Sequence, residues 1–166
     1  MKSLFIIYTM LLFSASSQLK QAKPTIISLN YQQKDIQLQF DTLFNHQQTD
    51  SGVYKGFIEQ ALANCHRKTD STSTITQDVF SSMYLNFTSG QYDCVTTTVF
   101  KFPDGTISAT GVLSRPPGDT IAPDHDFPIT DGSAAYKNIS GTYTRKYKDG
   151  AYYVELQYYK LEQENQ

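Results

Sequence analysis

The sequence predicts an all-β protein built from antiparallel strands, and three observations carry that prediction. Short segments alternate apolar and polar residues, as in Lys34–Phe40 (KDIQLQF) and Ala151–Lys160 (AYYVELQYYK), the two-residue period of a half-buried strand. Asp-Gly turns lie beside such segments, at Pro103-Asp104-Gly105 and Lys148-Asp149-Gly150, where Gly supplies the positive φ of a tight hairpin. Aromatic residues make up 13% of the chain, with 12 Tyr and no Trp, and together with abundant Thr they fit a pleated surface better than a helix. Many short strands with closely spaced turns describe a sandwich or a barrel, and the pattern alone admits either.

The first segment reads as targeting rather than fold. Lys2 supplies a positive charge, Leu4–Phe13 is apolar, and Ser14-Ala15-Ser16-Ser17 offers small residues for cleavage before Gln18. The apolar run is shorter than the roughly 20 residues a spanning helix requires. Residues 1–17 are therefore expected to be a secretory signal peptide, which makes the protein secreted, extracellular or lumenal. The 166-residue length fits one domain. Residues 18–33 read as a polar leader, 34–160 as that single domain, and 161–166 as a polar tail that frays.

Within the domain each element has a local reason. Lys34–Phe40 is a strand and Asp41–Gly52 a polar loop. Val53–Arg67 admits two readings, because Phe57, Ile58, Ala61 and Leu62 share a helical face while Val53, Lys55 and Phe57 share a strand face. Lys68–Ile75, rich in Ser, Thr and Asp, reads as a loop. Met83–Thr88 is a strand that turns at Ser89-Gly90-Gln91 into a longer one, Tyr92–Phe102, with Cys94, Thr96, Thr98, Phe100 and Phe102 on one face. Thr106–Leu113 is its hairpin partner. The three prolines of Arg115–Pro123 (RPPGDTIAP) exclude a central strand there. Phe127–Thr130, Thr142–Tyr147 and Ala151–Lys160 complete the set.

Formal net charge is −2 and the basic residues are scattered, which argues against nucleic-acid binding. No phosphate-binding Gly loop, nucleophile elbow, HExxH or CxxC pair appears, so no hydrolase, kinase or metalloenzyme is marked. Two cysteines, Cys65 and Cys94, read as one disulfide in an oxidising compartment; the alternative is two thiols that never meet. Asn86-Phe87-Thr88 and Asn138-Ile139-Ser140 are N-glycosylation sequons, at Asn86 and Asn138. Asp124-His125-Asp126 invites a metal reading, but three consecutive residues rarely converge on one ion, and a solvated loop leading into a strand is preferred. Glu155 is a carboxylate in mid-strand: facing inward it is a catalytic acid or base, facing outward a surface charge. Tyr153 and Tyr159 share its face and are the candidate ligand-binding aromatics, against the commoner reading of cross-strand packing.

One run carries a resemblance. Asp126–Gly141 (DFPITDGSAAYKNISG) places Phe127 and Ile129-Thr130 before a small-residue turn, then Tyr136, then a late Gly141. Upstream stand Cys65, Cys94, Phe100, Pro103-Asp104-Gly105, Ile107 and Gly111. In order and spacing these resemble the allene oxide cyclase barrel-like or dirigent-like family, over about Cys94–Tyr159 and more loosely over Lys34–Cys65. Asp131-Gly132-Ser133-Ala134 stands where the family turn reads Gly-Gly-Thr-Gly, and Ile139-Ser140-Gly141 where it closes on Ala-Arg-Gly. The Glu and Asn constellation of true allene oxide cyclases has no counterpart.

The resemblance implies an eight-stranded antiparallel calycin-like β-barrel, with Val53–Arg67 as strand and Asp126 structural. It implies a protein that takes up a small hydrophobic or phenolic ligand in the barrel mouth, orienting a reactive intermediate without a cofactor, and that forms a homo-oligomer. An isomerase or cyclase acting on a lipid epoxide is the alternative. A non-catalytic extracellular structural, interaction or defence protein with a packed barrel is the third reading. A carboxylate in an open lumen favours the enzyme, an open lumen without one favours binding, and a filled barrel excludes both.

Overall fold

The computed structural model describes residues 23–43, 47–67 and 70–161, with side chains from residue 75 onward in the last stretch. The expected signal peptide and most of the tail lie outside the described residues. Nine strands run β1 (Thr25–Gln32), β2 (Gln37–Thr42), β3 (Gly56–Arg67), β4 (Asp70–Asn86), β5 (Gln91–Phe102), β6 (Gly105–Arg115), β7 (His125–Gly132), β8 (Ile139–Lys148) and β9 (Ala151–Lys160) among the described residues. The sheet order is β1-β9-β8-β7-β6-β5-β4-β3-β2, and β1 also pairs with β3. That last pairing, at Leu29↔Arg67 and Asn30↔His66, closes eight strands into an antiparallel calycin-like barrel and leaves β2 as an extra strand.

The closure has a consequence for the mouth. β1 and β2 run in the same direction along one edge of β3, interrupted by a 3₁₀ turn at Gln33–Asp35. β1 is held on its other side by β9 from Thr25↔Tyr158 to Gln32↔Ala151. β9 begins at Ala151, and the Gly150 carbonyl accepts from Gln33 N at 3.0 Å. Beyond that point β2 pairs with β3 alone, from Gln37↔Leu62 to Thr42↔Phe57. A second gap opens between β6 and β7, whose pairing stops at Ala109↔Ile129 after a bulge. Above these two points the barrel wall is a half-pipe of β2–β6; below them it is continuous.

The closed half is packed. Leu29, Ile75, Phe100, Ile107, Phe127, Tyr143 and Leu156 sit in one core cluster, at most 2% exposed. Aromatic edges fill it, with Phe100 5.1 Å and Phe127 6.1 Å from Tyr143. The open half has a smaller cluster of Met83, Tyr92 and Cys94.

Two expectations change, and one ambiguity resolves as the resemblance implies. The polar leader 18–33 contains β1, because Ile27, Leu29 and Tyr31 alternate inward and β9 supplies the partner edge. Residues 70–75, read as loop, begin the 17-residue β4; they run beside β3, with Asp70 opposite Arg67 and Ile75 opposite Cys65, and β5 joins from Thr76 onward. Val53–Arg67 resolves as strand from Gly56, with Ala63 and Cys65 buried inside the barrel.

The Cys65–Cys94 disulfide does not form. Both thiols are free and buried. Cys65 pairs with Ile75 and Cys94 with Met83 on the intervening β4, which separates them by roughly 26 Å along the strand. Bridged cysteines require Cα atoms about 4.4–6.8 Å apart.

A candidate ligand cavity at the barrel mouth

The half-pipe encloses a cavity of about 650 Å³. Its wall is apolar: Leu38 and Phe40 from β2, Phe57 and Ala61 from β3, Val79 and Met83 from β4, Cys94 from β5 and Leu113 from β6. Strand alternation puts these residues on one face, and the free edge of β2 leaves Leu38 57% and Phe40 61% exposed at the opening. The proline-rich segment from Pro116 to Ala122 crosses the opening as a roof. It is tied down at its far end, where Ala122 N donates to Tyr152 Oη at 3.3 Å and Asp124 accepts from Tyr147 N at 2.8 Å.

Three polar groups interrupt the apolar wall. Arg115 Nη2 donates to Glu59 at 2.8 Å, and both side chains are largely buried, at 11% and 13% exposure. The Arg115 guanidinium also lies 5.8 Å over the Phe57 ring. Ser81 and Thr96 share a hydrogen bond of 2.9 Å.

The third group, Arg145, lines the floor beside Tyr152. It is 7% exposed. Nη1 reaches Tyr31 Oη at 3.4 Å, and the guanidinium lies 5.0 Å over the Tyr152 ring. Its buried Nε has no hydrogen-bond partner. Tyr152 in turn stacks on Tyr31 at 5.1 Å. Burial raises the Tyr31, Tyr143 and Tyr152 hydroxyls above the ordinary tyrosine range, although Arg145 pulls each the other way. The phenols beside Arg145 are therefore neutral and do not balance its charge.

His125 stands directly opposite Arg145 across the β7–β8 ladder. Its ring stacks on Phe127 at 4.2 Å and meets the edge of Tyr143 at 5.4 Å. Nδ1 lies 2.9 Å from the Pro123 carbonyl, which accepts only, so Nδ1 carries the proton and Nε2 holds the lone pair. Nε2 is buried without a partner. Burial first, and the Arg145 charge second, push the imidazole down to about 4. The ring is inward, not in the solvated loop expected for it, and Asp124 turns away to cap Tyr147 N.

Burial pushes the Cys94 thiol up to about 11 and the Cys65 thiol up to about 12. Both are inert thiols at neutral pH.

The expected site residues do not assemble. Glu155, Tyr153 and Tyr159 lie on the outer face of β9, because Tyr152, Val154, Leu156 and Tyr158 occupy the inner one. Glu155 is exposed, so the outward reading holds for it, and neither tyrosine lines the cavity. Asn86 ends β4, with Oδ1 accepting from Thr88 N and Ser89 N at 3.0 and 3.2 Å and Nδ2 donating to Asp93 at 2.9 Å. Asn138 is exposed at φ 59, just before β8. The packed-barrel expectation holds only below the floor.

The polar groups that do line the cavity were legible only in part. Arg145 alternates with Tyr143 and Tyr147 in TYTRKY, a charge on the aromatic face of a strand, and that is a signal. Glu59 and Arg115 carried none, since they meet only after β3 and β6 curve toward each other.

No protein-family model matches the sequence, and no curated protein sequence matches it significantly. Solved structures do resemble it in fold. A pyocyanin demethylase aligns over 81% of this chain and 100% of its own, at 15% identity and a TM-score of 0.54. The Diels-Alderase AbmU from Streptomyces koyangensis aligns over 83% of this chain, at 13% identity and a TM-score of 0.60. A nonspecific heme-binding cyclase that catalyses a 4 + 2 cycloaddition during neoabyssomicin biosynthesis aligns over 86%, at 14% identity and a TM-score of 0.60. This chain spans 64% and 66% of the length of those two cyclases. At such identities the likeness is one of barrel architecture.

Proposed function

We propose that this protein takes a small, mostly apolar organic molecule into the mouth of its barrel and holds it in a reactive conformation. The observation that carries the reading is the cavity of about 650 Å³, walled by apolar side chains with a few buried polar groups. That size and lining suit one ligand of drug-like dimensions. The signature run Asp126–Gly141 on an eight-stranded barrel supports a dirigent-like or allene-oxide-cyclase-like role, and the named activities of two barrels of similar fold, both cyclisations, point the same way. Holding the reacting ends of one molecule in contact can itself supply roughly 7–11 kcal/mol of a barrier. The apolar leader Leu4–Phe13 supports action outside the cytoplasm.

A second reading, an isomerase or cyclase with its own acid or base, is favoured by one observation. Glu59 places a carboxylate in the lumen, 2.8 Å from Arg115. The ion pair holds the Glu59 carboxylate in place within the cavity lining.

Native mass spectrometry of the full chain tests the binding reading. A non-covalent small molecule, retained or taken up from an organic extract, is expected, and Ala61→Phe, which fills the wall, should abolish it while circular dichroism stays β-rich. A wild-type protein that takes up nothing, or a filled variant that binds as well as wild type, would overturn it. Glu59→Gln separates the second reading: loss of turnover with uptake intact supports it, and unchanged turnover removes it.

A further inference from the structure

Arg145 is a buried cation without a counterion. Its guanidinium is 7% exposed and lines the cavity floor, and no ion pair among the described residues includes it. Its neighbours are a neutral phenol at 3.4 Å and an aromatic face at 5.0 Å. Its Nε has no acceptor at all. An unpaired buried charge is costly, and an orphaned donor on it adds to the cost.

The other charges at the cavity do not relieve it. Glu59 is already matched by Arg115. Asp119, in the roof, is exposed, and its Oδ1 accepts from Ile121 N at 2.9 Å. Protonating His125 would only add a second positive charge beside the first. The formal charges of the lining cancel, Arg115 and Arg145 against Glu59 and Asp119, but the buried Arg145 has no counterion beside it, and burial strengthens the field of that charge.

We propose that the ligand of this barrel is an organic carboxylate with an apolar body, and that Arg145 is the group that receives its carboxylate. The guanidinium is planar and offers paired N–H donors that match the two oxygens of a carboxylate. Tyr31 and Tyr152 clamp the guanidinium from its other sides, so the fork is oriented before the ligand arrives. The apolar body then lies along Val79, Ala61 and Met83 toward the opening at Phe40. This rests on the binding reading above and adds the charge class and the polarity of entry: carboxylate inward, apolar end toward the roof.

Matched probe pairs test it on the full chain, with calorimetry as the readout: 2-naphthylacetate against 2-naphthylacetamide, and laurate against 1-dodecanol. In each pair that binds, the anion should bind about 10- to 100-fold tighter, as expected of a charge-assisted contact. Arg145→Met should erase that preference, and Arg145→Lys should keep part of it. The empty Arg145→Met protein should also melt a few degrees higher than wild type, because the variant removes a buried unpaired charge. Equal affinity for anion and neutral partner in the wild type, or a preference that survives Arg145→Met, overturns the carboxylate assignment and leaves the binding reading standing. If Arg145→Met does not fold, the wild-type pairs and Arg145→Lys still decide. Failure of all four probes to bind at millimolar concentration overturns both.

Discussion

Individual residues decide where the chain can come close to itself. A Cβ on Gly141 would overlap the Gln157 carbonyl oxygen across the β8–β9 ladder, and one on Gly132 would overlap the carbonyl of Tyr136. These are backbone atoms, held by pairing and by the 3₁₀ turn Ala134–Tyr136, and they cannot swing aside as a side-chain tip would. Gly141→Ala should therefore destabilise the barrel by about 3 kcal/mol, at the upper end of overpacking, as read from denaturant midpoints. Ala134 holds φ 50 in the same turn. The glycine of the family pattern would sit there without strain, but the chain adopts the same left-handed geometry with alanine. The run DFPITDGSAAYKNISG was thus readable as a turn from its glycines and Tyr136. What was not readable was that Gly132 and Gly141 serve close approach rather than positive φ, because that depends on which strand lies alongside.

At the scale of elements, β2 is the least secured piece of the barrel. It pairs only with β3, its residues are exposed or half-buried, and its inward side chains Leu38 and Phe40 face a cavity rather than a core. Amide hydrogens on its free edge should exchange orders of magnitude faster than those of β8 or β9, which are paired on both sides. A bound ligand should slow them, and equal protection of β2 and β9 in the empty protein would contradict this picture. Phe40→Ala should cost under about 1 kcal/mol of stability, given its exposure, yet weaken ligand binding at least severalfold. The alternation of KDIQLQF announced this strand plainly. Nothing in it announced that β1 precedes it on the same edge. TIISLNYQ alternates only weakly, and its burial depends on β9, more than 100 residues later in the chain. β4 was obscured for a related reason: its inward residues Gln77 and Ser81 are polar because they bond within the lumen, to Tyr143 at 3.1 Å and to Thr96 at 2.9 Å.

The whole molecule sets the field in which His125 titrates. The ring is enclosed by Phe127 on its own strand, Tyr143 and Arg145 on β8, and the Pro123 carbonyl of the incoming loop, with Asp124 and Asp126 flanking it. Burial and Arg145 bring its pKa to about 4, below the ordinary 6.5 of the unfolded chain. Between those two values the unfolded state binds the proton and the folded state does not. Stability from this group is therefore complete above pH 6.5 and is lost as the pH falls toward 4, a change of roughly 3 kcal/mol if the full shift applies. Carboxylates also titrate near the lower end, so the measurement is a difference. His125→Phe keeps the stacking and removes the proton site, and its stability should fall less steeply than wild type between pH 6.5 and 4.5. Parallel curves would mean that His125 is not held neutral by its surroundings. The same ring also reports on Arg145. In Arg145→Met one of the two forces lowering the pKa is gone, so the imidazole should titrate at higher pH by NMR. A bound carboxylate on Arg145 should shift it in the same direction in the wild-type protein, because an anion screens the guanidinium that a methionine would replace. Agreement in sign between those two shifts would tie the pH response of the fold to the charge at the bottom of its cavity.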